Sequence, residues 1–188
     1  MNSGNGKYDA LVVGAGPAGL AAAEVLASHG RQVLVAEAMP SVGRKLLMAG
    51  KSGLNLTKSE PIEEFLGCYS TAPSHFLQSI RAFGPDEVME WAEGLGQEVF
   101  TGTTGRVFPT AMKASPLLRA WLLRLAGLGV AVRTRLRWTG WEGNDWIFDG
   151  AEGEVRINPK VAVLALGGAS WRRLGSDGVW AETLKEAG

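Results

Sequence analysis

Short apolar runs at 10–13, 32–36, 130–133 and 161–166 stand out along the chain, most of them closed by glycine or charge. Runs of that length read as strands buried on both faces of a parallel sheet. Between the first two, residues 17–29 are rich in alanine and end at Gly30, which suits the position just past a helix. A second strong helix opens at Ser115-Pro116, with Ser115 as N-cap and Pro116 at the first helical position. Leu117, Leu118, Trp121, Leu122 and Leu125 then share one apolar face, Arg119 and Arg124 fall elsewhere, and Gly127 and Gly129 end the helix. Shorter helices are predicted over 61–66, 73–83 and 85–95. The last of these has Pro85, Asp86 and Glu87 at its positive end and Gly96 beyond it. Polar-alternating runs at 135–141, 145–148 and 154–157, separated by Gly143-Asn144 and by 150–153, predict a three-stranded antiparallel meander. A final helix is predicted over 179–187. Residues 38–58 read as a long connection, 99–109 as irregular, and 1–6 as a polar tail without order.

This succession predicts an α/β fold: a Rossmann-like, doubly wound parallel sheet with the meander as a crossover. The expected organisation is one domain over 1–188, with a helical insertion at 58–128 and the meander at 134–158. Ligands of such sheets bind outside the carboxyl ends of the strands. Three glycine-bearing loops fall there, at 14–19, 43–53 and 167–178. The first is Gly14-Ala-Gly-Pro-Ala-Gly19, directly after a strand and opening a helix. Gly14 serves the tight turn, Gly16 the approach of a pyrophosphate and Gly19 the packing of helix on strand. The amides at Pro17-Ala18-Gly19 open the helix toward the phosphates, although Pro17 itself has no N–H. Glu37, eighteen positions beyond Gly19, ends the second strand, where a carboxylate accepts from a ribose diol. A 2′-phosphate would be repelled there, so FAD or NAD fits better than NADP.

Bulk composition excludes more than it assigns. Of 188 residues, 46% are hydrophobic and 20% charged, as in a globular core. Lys+Arg and Asp+Glu are both 19, so no global field points to nucleic acid or an anionic membrane. Charge is segregated even so. Acids dominate 60–98, with Arg81 the only base, and 99–141 holds bases and no acid. The expectation is two solvated faces attracting each other within the fold, with a basic groove for an anionic cofactor as the alternative. Cys68 is the only cysteine, which excludes an internal disulfide and a cysteine metal cluster and suits a reducing, cytoplasmic setting. His29 and His75 lack a ligand pattern, so no metal site is expected. Asp9, Glu24, Pro17 and the glycines break up the apolar 10–27 stretch, which argues against a signal peptide or a membrane span.

Further segments carry a family resemblance. Gly43-Arg-Lys-Leu-Leu-Met-Ala-Gly50, Gly53-Leu-Asn-Leu-Thr57, Gly105-Arg-Val-Phe-Pro109 with Lys113-Ala114, Leu164-Ala-Leu-Gly-Gly-Ala-Ser170 and Leu174-Gly-Ser-Asp-Gly178 occur in that order. Together they resemble the BaiN/RdsA-like NAD(P)/FAD-dependent oxidoreductases, flavoproteins with a glutathione-reductase-type FAD fold. Many members carry Gly-Arg-Cys-Asn where this chain has Ser52-Gly53-Leu54-Asn55. The cysteine position is Leu54, so no thiol role carries over, and the chain looks like a Gly-Leu-Asn-Leu-Thr subgroup. Members are about twice as long, which implies a fold incomplete at its C-terminus and a cap or substrate domain absent from this chain.

The resemblance implies FAD as cofactor, NAD(P)H as reductant and an unknown small-molecule acceptor. Its cofactor-binding positions here are Gly14, Gly16, Pro17, Ala18, Gly19, Glu37, Arg44, Lys45, Asn55, Leu56, Thr57, Gly167, Gly168, Ser176, Asp177 and Gly178. Arg44 and Lys45 are expected to neutralise the pyrophosphate or line the approach to the isoalloxazine. Asn55 and Thr57 are expected at flavin ring edges, Gly167 and Gly168 against the ADP half, and Ser176 and Asp177 at the ribityl chain. Trp138, Trp141 and Trp146 are assigned to packing beneath the meander. Trp171 and Trp180 flank the flavin side, where exposure would promote self-association. No catalytic side chain is assigned, because flavin chemistry resides in the cofactor. The rival readings are a non-catalytic nucleotide- or partner-binding half-domain and an NAD-only dehydrogenase.

Overall fold

The computed structural model describes residues 8–186; the 1–6 tail and the end of the final helix at 187 lie outside the described residues. In chain order the helices and strands are β1 (Ala10–Val13), α1 (Pro17–Ser28), β2 (Val33–Glu37), α2 (Arg44–Ala49), β3 (Thr57–Lys58), α3 (Ile62–Gly67), α4 (Ser74–Ala82) and α5 (Pro85–Gly94). There follow β4 (Val99–Thr101), β5 (Arg106–Pro109), α6 (Ala114–Gly127), β6 (Ala131–Thr134), β7 (Leu136–Glu142), β8 (Asp145–Gly150), β9 (Gly153–Ile157), β10 (Val161–Leu164) and α7 (Trp180–Glu186). The chain divides into two compact units, Met1–Leu46 with Leu123–Gly188, and Leu47–Leu122.

In the first unit, four strands form a sheet in the order β10-β1-β2-β6. All three pairings are parallel, with Val12 opposite both Val163 and Val35, and Val35 opposite Val132. This is the Rossmann-like α/β arrangement the sequence predicts. The central strands are closed to water: Ala10, Leu11, Val12, Leu34 and Val35 are all 0% exposed. The meander forms as β7-β8-β9, antiparallel throughout, with a register shift between Trp138 and Gly140. Leu136, Trp138, Phe148 and Ile157 from the meander join Leu11, Val13, Leu34 and Ala36 in one apolar cluster. The crossover is thereby packed onto the sheet next to the carboxyl end of β2.

The second unit carries α3, α4 and α5 as predicted, and a sheet that the sequence does not. Residues 99–109 are not irregular: β4 and β5 pair antiparallel, and β3 adds to β5. Residues 38–58 are also more ordered than a loop, holding α2, a single 3₁₀ turn at Gly50–Ser52 and β3. α6 begins at Ala114, so Ser115 and Pro116 lie inside its first turn and Ser115 is not the N-cap. Leu117, Leu118, Trp121 and Leu125 are buried as its apolar face requires. Of the segregated charges, Arg81 bridges Glu63 inside the acidic run, while Arg124 bridges Glu24 and Arg137 bridges Asp177, both partners outside it. Those bridges do not join the acidic 60–98 run to the basic 99–141 run.

Candidate functional site

The site begins at the carboxyl end of β1. The Gly14 N–H donates to Ala36 O at 2.8 Å and holds the turn against β2. A Cβ on Gly14 would sit 2.4 Å from Ala165 O, and its φ of +106° is one that L side chains rarely adopt. A Cβ on Gly19 would sit 1.8 Å from Gly14 O, so only glycine lets α1 pack this close to the loop. Gly16 differs from both: a Cβ there would meet nothing within 4 Å. Nothing in the chain's own packing requires glycine at 16. The space in front of it is free for a ligand to come against the backbone. Gly16 is the N-cap of α1, Pro17 occupies the first turn, and Pro17 and Ala18 are exposed at the helix tip. The amides of Ala18 and Gly19 belong to the first turn, whose donors have no partner within the helix.

Glu37 ties the second strand to this loop. Its Oε2 accepts from Ala15 N at 2.8 Å and its Oε1 from Met39 N at 2.8 Å. Ala15 O in turn accepts from Gly43 N at 2.9 Å. The carboxylate is half-buried at the rim and not lost in the packed interior. Each of its oxygens takes one amide, and a carboxylate has about four acceptor positions, which leaves capacity for two hydroxyls.

The third loop follows β10. Ser176, only 6% exposed, turns its hydroxyl to Gly168 O and Leu166 O. Lys45 Nζ donates to Gly168 O at 3.3 Å and to Ser170 Oγ at 3.4 Å, and Trp180 Nε1 donates to Gly167 O at 3.1 Å. Asp177 Oδ1 accepts from Val179 N at 3.2 Å just ahead of α7, while Oδ2 lies 3.8 Å from Arg137 Nη1. Ser176 and Asp177 therefore shape the loop with the same groups expected to meet the ligand. Gly178 turns the chain at φ +80°.

These three loops and β7 enclose a cleft of about 410 Å³ in the first unit, within the usual range for small-molecule sites. Gly14, Gly16, Pro17, Ala18, Glu37, Arg44, Lys45, Gly167, Ser176 and Asp177 line it. Gly19 stands behind the loop, and Gly168 and Gly178 lie in the segment whose neighbours form the wall. Asn55, Leu56 and Thr57 belong to the second unit, where Leu56 N donates to Val107 O at 2.9 Å and Thr57 pairs with Val107 in the β3–β5 ladder. Leu54, at the cysteine position, is 4% exposed.

Sequence reasoning missed the wall contributed by β7. Leu136, Arg137, Trp138 and Thr139 all line the cleft. Period-two alternation announces the strand, but only the tertiary packing of the meander shows which face turns to a ligand. Among the described residues, two buried side-chain nitrogens lack a hydrogen-bond partner, Arg44 Nε and Trp138 Nε1, and both residues line this cleft. Buried polar groups are nearly always paired. A cleft lined by two residues with spare donors, an acidic rim and a free approach to a helix tip matches a ligand that combines acceptors with a sugar diol. FAD fits that donor and acceptor set. No cluster of metal-ligating residues occurs among the described residues, and no helix of the described residues is long and apolar enough to cross a membrane.

Comparison with known proteins agrees with this architecture. The family described as "HI0933-like protein Rossmann domain" matches residues 8–188. Digeranylgeranylglycerophospholipid reductase of Methanosphaerula palustris is 31% identical over 131 residues, 69% of this chain and 30% of that protein. Ribosomal RNA dihydrouridine synthase of Escherichia coli is 35% identical over 78 residues, 40% of this chain and 18% of that protein. The chain thus spans less than a third of the length of these curated relatives. Among solved structures, the open conformation of a flavocytochrome c3 fumarate reductase superposes with a TM-score of 0.71 at 19% identity, covering 98% of this chain and 41% of that one. At that identity the likeness concerns the fold.

Proposed function

From its membership of the HI0933-like protein Rossmann domain family, to which the chain belongs as an FAD-binding Rossmann domain, we propose that its cleft is the FAD site of an oxidoreductase that takes hydride from NAD(P)H and reduces a small-molecule acceptor. The observation that carries this reading is that Gly16, where a Cβ would meet nothing within 4 Å, lines the same cleft as two residues with orphaned buried donors, Arg44 and Trp138.

The roles follow from the groups. Ala18 and Gly19 amides and the dipole of α1 face the pyrophosphate. Glu37 accepts from the adenosine ribose diol while its two backbone bonds hold the carboxylate still. Arg44 supplies a guanidinium to anionic oxygens. Lys45 adds positive charge while bracing the Gly167–Gly168 turn against the ADP half. Ser176 and Asp177 hold the third loop open toward the ribityl chain. Bound FAD supplies two-electron chemistry, and the protein's part is to orient it and exclude water.

The finer placement among BaiN/RdsA-like oxidoreductases rests on the Gly43–Gly50 and Gly53–Thr57 segments. Two relatives whose names give different substrates each match part of this chain, which supports a cofactor role for it. A single exposed cysteine suits a cytoplasmic setting. Trp171 and Val161, each 55% exposed, offer apolar surface for self-association.

The test is anaerobic. FAD-loaded protein mixed with NADH or NADPH should lose its visible flavin absorbance with one reductant oxidised per flavin. Retained absorbance with both reductants would contradict the oxidoreductase reading.

A further inference from the structure

Trp138 lies on the third residue of β7, 9% exposed, within the core cluster of the first unit. Its ring is 5.2 Å from Trp141 and 5.5 Å from Trp146, centroid to centroid. Packing accounts for the ring and leaves the N–H over. Nε1 is buried without a partner, on a residue that lines the cleft. A buried indole N–H ordinarily finds an acceptor, and packing of the ring supplies none here. An unmet buried donor is costly and becomes favourable once an acceptor reaches it.

Resting on the reading of the cleft as an FAD site, we propose that Trp138 is a ligand-binding residue. Its indole N–H donates to an uncharged ring acceptor of the dinucleotide, a ring nitrogen or ring carbonyl. The other parts of the ligand already have partners of matching charge. Anionic oxygens meet the α1 amides and Arg44, and the diol meets Glu37. A neutral donor such as indole is matched to a neutral heteroaromatic edge. The acceptor belongs either to adenine or to the isoalloxazine, and the two are separated by the choice of probe.

The experiment follows the Trp138 indole resonance of ¹⁵N-labelled protein during titration with FAD and, separately, with ADP. Trp138→Phe serves as the second arm. FAD should move the indole proton downfield and slow its exchange with solvent. Trp138→Phe should bind FAD about three- to tenfold more weakly. A shift with ADP as well places the acceptor on adenine; a shift with FAD alone places it on the flavin ring. If FAD binds the wild-type chain and the resonance stays put, Trp138 is a packing residue and the proposal is overturned, whatever the variant does. If FAD does not bind the wild-type chain at all, the reading of the cleft fails first and takes this proposal with it.

Discussion

At the scale of single residues, the three fingerprint glycines separate by cause. Gly14 and Gly19 are demanded by backbone oxygens 2.4 and 1.8 Å from where a Cβ would stand, whereas Gly16 answers to nothing in the protein. The turn at Gly14 and the close packing at Gly19 were legible in the sequence because the spacing of the loop dictates them. The role of Glu37 was only half legible. Its position raised the expectation of a ribose ligand, and its bonds to Ala15 and Met39 emerge only when the loop closes on β2. Glu37→Gln leaves one amide facing an N–H of the loop and removes a charged acceptor. FAD binding should weaken by about 1–3 kcal/mol, and the loop should loosen with it. Calorimetry of both proteins measures this, and equal affinities would remove Glu37 from the site. Trp138 was assigned to packing because a tryptophan in an alternating strand gives no sign of whether its N–H is met. That depends on atoms from other elements.

At the scale of elements, what was read correctly had long or unbroken patterns. The four parallel strands, α1, the apolar face of α6 and the meander all announce themselves by period. What was missed is short. β4 and β5 are three and four residues long around a turn holding Gly102 and Gly105, too little for alternation to show. α2, at six residues, completes less than two turns and lacks the preceding proline and acidic first turn that mark α3. Pairing energy from neighbouring strands decides such segments, and local sequence does not contain it. The amino edge of the sheet carries a pH-sensitive clasp. Asp9 Oδ1 meets Lys160 Nζ at 2.6 Å and Oδ2 accepts from Gln32 N at 3.0 Å, linking β1 to the approaches of β10 and β2. The Lys160 hydrogen bond, then the Gln32 amide, holds the Asp9 carboxyl below its ordinary range. A depressed carboxyl stabilises the fold above its unfolded pKa, and that contribution is lost as pH falls through the folded value. In an NMR pH titration Asp9 should titrate below free aspartate, and Lys160→Met should move it upward. Identical titrations would show the clasp to be ineffective in solution.

At the scale of the whole molecule, the class of fold was readable because apolar runs alternating with helices build a parallel sheet, and such strands direct their loops to one end. The small sheet of the second unit was not, since its strands are too short to show a period. The acceptor was not readable either, and the relatives that match parts of this chain carry names with different substrates. The account's central claim concerns the cleft before α1, and a titration of FAD into wild type and Gly16→Val tests it most directly. The position has a φ of −80° and open space around it, so valine should leave helical circular dichroism unchanged. The account predicts saturable, one-to-one quenching of flavin fluorescence by wild type and its loss in the folded valine variant. Equal binding by the two proteins, or none by wild type, would contradict it.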